Sequence, residues 1–304
     1  MGEKVLITGG SGLFAVNCAI QLRASHEIVL GLHKRAVAIR GVDARQIAIN
    51  SANAALQTIS EIAPDCVIHT AGATNVELCE ADPELAAHAN VDLAKNVALA
   101  CARHNTALVH ISTDHLFSGH TLLASEATPA LPMNVYGASK CEAEKQVLAA
   151  HPESLVIRTN FYGWGTLYRQ SFSDGILNAL RAGKALGLFA DVFFTPVNIE
   201  SLVGAIMELV ASGRRGVFNI AGDDRLSKYE FGVLLARAFG LDPELLRQTN
   251  SSDRADLVMR PRDMSLSNMK ITQALGRAIG GIGAHFSQLQ RQEISGVREE
   301  LLSL

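Results

Sequence analysis

The stretch that most constrains this chain lies at its beginning. Lys4-Val5-Leu6-Ile7-Thr8 is a short apolar run rich in β-branched residues. That pattern is a strand buried on both faces, as in a parallel sheet. Gly9-Gly10-Ser11-Gly12-Leu13-Phe14-Ala15 follows at once and passes into a helical pattern that runs to Leu22. Strand, glycine turn and helix in immediate succession are the context that gives a glycine motif meaning. The glycines let the backbone approach a pyrophosphate, and the helix start offers amide donors and the positive end of a dipole. Gly9, Ser11, Gly12, Leu13 and Phe14 are therefore candidate cofactor contacts. Two registers fit, Gly10-x-Gly12-x-x-Ala15 and Gly9-x-x-Gly12-x-x-Ala15; an ordinary glycine-rich loop is the plain alternative.

The chain continues in the alternation this start implies. Glu27–Leu32 reads as a second strand, Gln46–Ile49 as a short third, and Ala52–Ala63 as a helix ended by Pro64-Asp65. Cys66–His69 is a fourth strand. It opens into Thr70-Ala71-Gly72-Ala73-Thr74, whose small residues would let the backbone lie along a cofactor. One long helix from Pro83 to His104, with Asn90 inside it, precedes a fifth strand, Ala107–Ile111. Later strands read at Leu155–Ile157 and Val217–Ala221, and a helix at Ser173–Ala182. Ser227-Lys228-Tyr229-Glu230 is a capping box that opens a helix to Phe239, a structural role only. Gly280-Gly281-Ile282-Gly283 reads as a flexible joint before a C-terminal helix. Strands alternating with helices predict an α/β fold, a Rossmann-type doubly wound parallel sheet. Residues 1–160, completed by about 190–222, would form it; 161–189 and 223–304 would form a smaller, discontinuous substrate-binding lobe.

Two features bear on chemistry. The second strand ends in His33-Lys34-Arg35, with no carboxylate where an acidic residue would bind the ribose 2′-hydroxyl of NAD. Cations there attract a 2′-phosphate, so NADP(H) is favoured, with a solvated basic loop as the alternative. Farther on, Tyr136 stands four residues before Lys140 at the start of a helix, which places both side chains on one face. The lysine is expected to lower the tyrosine pKa from near ~10, so that the phenol can exchange a proton with a carbonyl or alcohol oxygen. A chance pair on an amphipathic helix is the alternative.

Composition excludes several classes. A net charge of −3 without a basic run argues against nucleic acid as a partner. The five cysteines are scattered and form no Cys-x-x-Cys pair, so neither a disulfide framework nor a zinc site is expected. The ten histidines contain no helical His-x-x-x-His pair at His115 and His120, and no metal is expected. No signal peptide and no membrane-spanning run is read, so a cytoplasmic location is expected.

Leu6–Gly12, Pro64–His69 and Ile111-Ser112-Thr113-Asp114-His115-Leu116-Phe117-Ser118-Gly119 carry a further signal. So do Glu126, Pro129, Pro132–Lys140, Ile157–Trp164 and Arg260-Pro261. Together these segments resemble an extended short-chain dehydrogenase/reductase, and within it the dTDP-4-dehydrorhamnose reductase group, to about Gly276. The resemblance implies an NADPH-dependent reductase of a keto group on a nucleotide-activated sugar. It implies Thr113 as the third catalytic residue beside Tyr136 and Lys140. Ala71, Gly72, Ala73, His33, Lys34, Arg35 and Ile49 would join the glycine turn at the cofactor. Thr74, Asp114, Phe117, Asn160 and Arg260 would meet the substrate. Three departures stand out: Ala15 for a third glycine, His115 for a tyrosine, and Ala48-Ile49 for an acidic residue. A homodimer is left open. So are two rivals, an epimerase or dehydratase of the superfamily that cycles NAD, and a non-catalytic protein like the regulatory subunit of methionine adenosyltransferase.

Overall fold

The computed structural model describes residues 2–254 and 256–304. In chain order its first half contains β1 (Lys4–Thr8), α1 (Leu13–Leu22), β2 (Glu27–Leu32), β3 (Asp43–Gln46), α2 (Ala52–Ile62) and β4 (Cys66–His69). Then come α3 (Val76–Ala81), α4 (Pro83–Ala87), α5 (Leu93–His104), β5 (Ala107–Ile111), α6 (Val135–Ala150) and β6 (Leu155–Arg158). The second half contains β7 (Phe161–Tyr162), α7 (Phe172–Arg181), β8 (Leu186–Phe189), β9 (Phe193–Phe194), β10 (Val197–Asn198), α8 (Ile199–Ala211) and β11 (Gly216–Asn219). It ends with β12 (Leu226–Ser227), α9 (Lys228–Ala238), β13 (Leu246–Thr249), α10 (Met269–Leu275), α11 (Ile282–Ile294) and α12 (Val297–Leu302).

Seven strands form one sheet in the order β3-β2-β1-β4-β5-β6-β11, all parallel. Every residue of β4 and β6 is buried, as the unbroken apolar runs require of strands covered on both faces. Helices α2, α5 and α6 cover one face through Ile59, Val97 and Val147. Helices α1 and α8 cover the other through Val16 and Ile206. That second core continues into an aromatic cluster in which Phe231 packs against Tyr162, Phe194 and Phe286. Three small strand pairs, β7·β10, β9·β12 and β8·β13, extend the structure beyond the sheet.

Several expectations are corrected. The third strand is Asp43–Gln46, not Gln46–Ile49. It is a polar edge strand held by pairing with Val29–Leu32, while apolar Ile47 and Ile49 pack onto the α2/α5 core. The helix expected over Pro83–His104 is interrupted by a π-turn at His88–Asp92, and α3 stands where no helix was expected. Asn75 caps α3 by accepting from Leu78 N at 2.9 Å. The last strand of the sheet starts at Gly216 and stops at Asn219. The glycine joint is tied down. Gly280 N donates to Asp223 Oδ2 at 3.1 Å and Ile282 N to Asp224 Oδ2 at 2.6 Å. The capping box forms as read, with Ser227 and Glu230 bonded reciprocally.

Candidate active site

Strand order reverses between β1 and β4, and the loops leaving their carboxyl ends part there, as ligand sites of open α/β sheets require. A cleft of about 990 Å³ opens at this point. Its floor is the glycine turn and the start of α1, with Gly9, Ser11, Gly12, Leu13 and Phe14 on the wall. Gly9 has φ +70°, and a Cβ there would meet Ala71 N at 2.7 Å. Only glycine lets this turn lie so close to the loop after β4. Gly12 is the N-cap of α1, with no side-chain cap bond and no acidic residue in the first turn. The helix therefore presents uncapped amides to the cleft, a setting for a phosphate group.

The facing wall is Ala71, Gly72, Ala73 and Thr74. Asn90, inside the π-turn, holds this wall in place. Its Oδ1 accepts from Ala73 N at 2.8 Å, and its Nδ2 donates to Ala73 O at 3.1 Å and Ser139 Oγ at 2.9 Å. A π-turn re-aims one side chain within a helix; here it points Asn90 across to α6. Sequence reasoning placed Asn90 in the helix and gave it no task. A lone asparagine on an apolar helix was the available signal.

Tyr136 and Lys140 lie one turn apart on α6. Asn134 caps that helix, its Oδ1 accepting from Gly137 N at 2.8 Å. Both line the cleft, as does Thr113 just beyond β5. Tyr136 is buried, and burial raises its pKa to about 12; a hydrogen bond with Thr113 opposes this and the Asp114 charge adds to it. The expected lowering by Lys140 is thus corrected: burial and the Asp114 charge win, and the phenol stays protonated. Lys140 Nζ turns inward, donating to Ile111 O at 2.7 Å and lying 3.5 Å from His110 Nε2. Burial brings its pKa down to about 8, against the pull of Glu144. Beneath it, His69 and His110 stack with ring centroids 5.5 Å apart. Burial, aided by the Lys140 charge, depresses both imidazoles and keeps them neutral.

Beyond the tyrosine the cleft is lined by Asp114, His115 and Asn160. Asn160 Nδ2 donates to Asp114 Oδ2 at 2.5 Å, and Thr113 Oγ1 to Asp114 Oδ1 at 3.3 Å. His115 packs edge-on to Tyr136 at 5.5 Å, and its Nδ1 is buried without a partner among the described residues. Two expected substrate contacts are not on this wall. Phe117 is sealed in a separate small core with Leu116, Ala124, Ala221 and Leu266, because the loop after Asp114 turns inward. Arg260 is held by Glu77 at 2.5 Å and does not line the cleft. Arg169, which no sequence signal singled out, does line it and donates to Thr74 Oγ1 at 2.6 Å.

At the other end, His33 and Ile49 line the cleft but Lys34 and Arg35 do not. Lys34 is exposed. Arg35 lies over the Tyr168 ring, 4.1 Å from its centroid, since an exposed guanidinium finds an aromatic face more readily than open solvent holds it.

The family model described as RmlD substrate binding domain matches residues 3–281. The chain belongs to this family. It is 30% identical to dTDP-4-dehydrorhamnose reductase of Mycolicibacterium smegmatis over 90% of this chain and 81% of that protein. It is 25% identical to methionine adenosyltransferase 2 subunit beta of Pongo abelii, over 88% of this chain and 81% of that one. The crystal structure of dTDP-4-dehydrorhamnose reductase from Bacillus anthracis in complex with NADP superimposes with a TM-score of 0.82, covering 96% of this chain and 100% of that one at 22% identity. At that identity the likeness establishes the fold. In this RmlD-family chain the departures at His115 and at Ala48-Ile49 all fall on the cleft wall, His115 against Tyr136 and the other two at the opposite end.

Proposed function

We propose that this protein is an NADPH-dependent reductase of a keto group on a nucleotide-activated sugar. The observation that carries the reading is the convergence of Thr113, Tyr136 and Lys140 on one cleft with the uncapped start of α1. The fit to a dinucleotide is sound: the turn has no Cβ at Gly9 or Gly12, no side chain caps the helix, and no acidic residue repels a phosphate. Membership of the RmlD family and identity to a dTDP-4-dehydrorhamnose reductase support the substrate class. NADP(H), when bound, supplies the hydride.

The chain's own residues then have distinct tasks. Leu13 and Phe14 offer backbone amides to phosphate, while the Gly12 amide is spent within the turn on Gly9 O at 2.8 Å. Lys34 and Arg35, which follow the cleft-lining His33 without lining the cleft themselves, supply positive charge near that end for a 2′-phosphate. Thr113 Oγ1 holds the carbonyl oxygen, and the protonated Tyr136 hydroxyl gives it a proton as negative charge develops. Lys140 holds the nicotinamide ribose and offsets the charge left on Tyr136. Residues 1–160 with about 190–222 form the cofactor domain, and 161–189 with 223–304 the substrate lobe. No helix among the described residues is long and apolar enough to cross a membrane. All five cysteines are free, and we place the protein in the reducing cytoplasm.

A thermal-shift screen with NADPH, NADH, dTDP- and UDP-sugars and the free sugars tests the reading, since a ligand of the folded state raises its stability. NADPH and a nucleotide sugar should stabilise, and free sugars should not. Equal stabilisation by free sugars overturns the substrate class. The likeness to methionine adenosyltransferase 2 subunit beta favours a second reading, a non-catalytic partner. A pull-down that returns one stoichiometric protein, with no turnover of any sugar nucleotide, would establish it.

A further inference from the structure

The groups read as meeting the reacting oxygen stand on two different elements. Tyr136 and Lys140 lie on α6, while Thr113 lies just beyond the end of β5. The backbone of Thr113 has little to hold it. Ladder bonding to β6 closes with Ser112 N donating to Ile157 O at 2.7 Å, and among the described residues Thr113 N has no backbone partner. Its hydroxyl makes only long bonds to its chain neighbours, donating to Asp114 Oδ1 and accepting from His115 N, both at 3.3 Å. Proton transfer needs this hydroxyl and the Tyr136 phenol at a fixed separation, so the strand end must be tied to the helix.

Glu144 supplies that tie. It follows Lys140 by one helical turn, so Tyr136, Lys140 and Glu144 form one stripe along α6. All three are buried. Glu144 Oε1 accepts from the hydroxyl of Ser112, the residue directly before Thr113, at 2.6 Å. Arg158, the last residue of β6, holds the same carboxylate in a fork, through Nη2 at 2.7 Å and Nε at 3.0 Å. Stability alone does not call for this pair, because apolar side chains of similar volume fill such a space as well. They could not accept the Ser112 hydroxyl.

We propose that Glu144 is a positioning residue: oriented by Arg158, it holds Ser112 and thereby sets Thr113 at its working distance from Tyr136. This rests on the reductase reading above. Glu144 acts through Ser112, which lines the cleft, and does not line it itself. A misplacement of about 1 Å between such groups slows a reaction by about a hundredfold. Binding of the substrate changes far less, because the loss falls on the transition state.

Two variants of the full chain separate the tether from the scaffold. Arg158→Met with Glu144→Leu replaces the ion pair by apolar side chains and removes the acceptor. Ser112→Ala removes only the donor and keeps the Glu144 charge that acts on Lys140. Each is assayed for NADPH oxidation with dTDP-4-dehydrorhamnose and for hydrogen exchange over Ser112–His115. In both, kcat should fall roughly tenfold to a hundredfold, with KM kept within about threefold. Exchange over that segment should quicken while β1 and β4 keep their protection. A purely structural pair behaves otherwise: once stability returns in the double variant, the rate returns with it. Full kcat in the folded double variant therefore overturns the proposal. So does a loss there with full kcat in Ser112→Ala, which traces the effect to the charge near Lys140. Should the double variant not fold, Ser112→Ala decides by the same two readouts. If the unmodified protein does not oxidise NADPH with dTDP-4-dehydrorhamnose, the fault lies in the substrate reading. Exchange then decides Glu144 by itself, and unaltered exchange over Ser112–His115 in Ser112→Ala refutes the tether.

Discussion

Replacing Lys140 by methionine separates what this residue costs the fold from what it gives the reaction. Its ammonium donates to Ile111 O at 2.7 Å, within a wall where burial lowers its pKa from 10.5 to about 8 despite Glu144. The unfolded chain therefore holds the proton more tightly than the folded one. The charged lysine opposes folding below a pH of about 8, and that penalty fades as the pH rises toward 10.5. The shift amounts to roughly 3 kcal/mol at about pH 7 and roughly 1.4 kcal/mol at about pH 9.5. Methionine keeps the stem's packing and abolishes the titration. It leaves Ile111 O without its donor, a pH-independent loss of about 1–3 kcal/mol. The stability of the unmodified protein, minus that of Lys140→Met, should thus rise by about 2 kcal/mol between those two pH values. Urea unfolding at a series of pH values measures it. A difference flat to within about 0.5 kcal/mol would show that the ammonium is not desolvated, and the account of this wall would be wrong.

Tyr136→Phe should leave fold and NADPH affinity intact and slow single-turnover NADPH oxidation by ~10² to 10⁴; a rate kept within about threefold removes the tyrosine from the mechanism. Alanine at both Lys34 and Arg35 should narrow the preference for NADPH over NADH, each phosphate bond contributing roughly 1.5–3 kcal/mol. Equal affinity of the unmodified protein for both cofactors would sink that assignment. Arg158 donates to Glu144 through Nη2 at 2.7 Å and Nε at 3.0 Å, and both side chains are buried. Arg158→Met should therefore cost about 3–5 kcal/mol in urea unfolding, and much of the loss should return on adding Glu144→Leu. A single variant as stable as the unmodified protein contradicts a buried pair.

Local signals in this chain carried far. The apolar run Lys4–Thr8, the glycines after it and the Tyr136-to-Lys140 spacing are short-range patterns. Strand burial, left-handed φ at Gly9 and one-turn helical spacing all follow from residues a few positions apart. They were enough to read the parallel sheet and one wall of the cleft. What escaped depended on groups brought together from far along the chain. The third strand is set by pairing with β2, not by its own polar residues. Asn90 gained its task from a π-turn that aims it at Ala73 and Ser139. Phe117 shares a motif with Thr113, yet it was carried into a core built from Ala221 and Leu266. The Tyr136 pKa went up, not down, because desolvation is a property of everything packed around the hydroxyl, while spacing on a helix records only one neighbour. Lys228 shows the same division: the capping box was legible within four residues, but the rings of Phe172 and Phe194 that hold its charge meet it only in the folded chain.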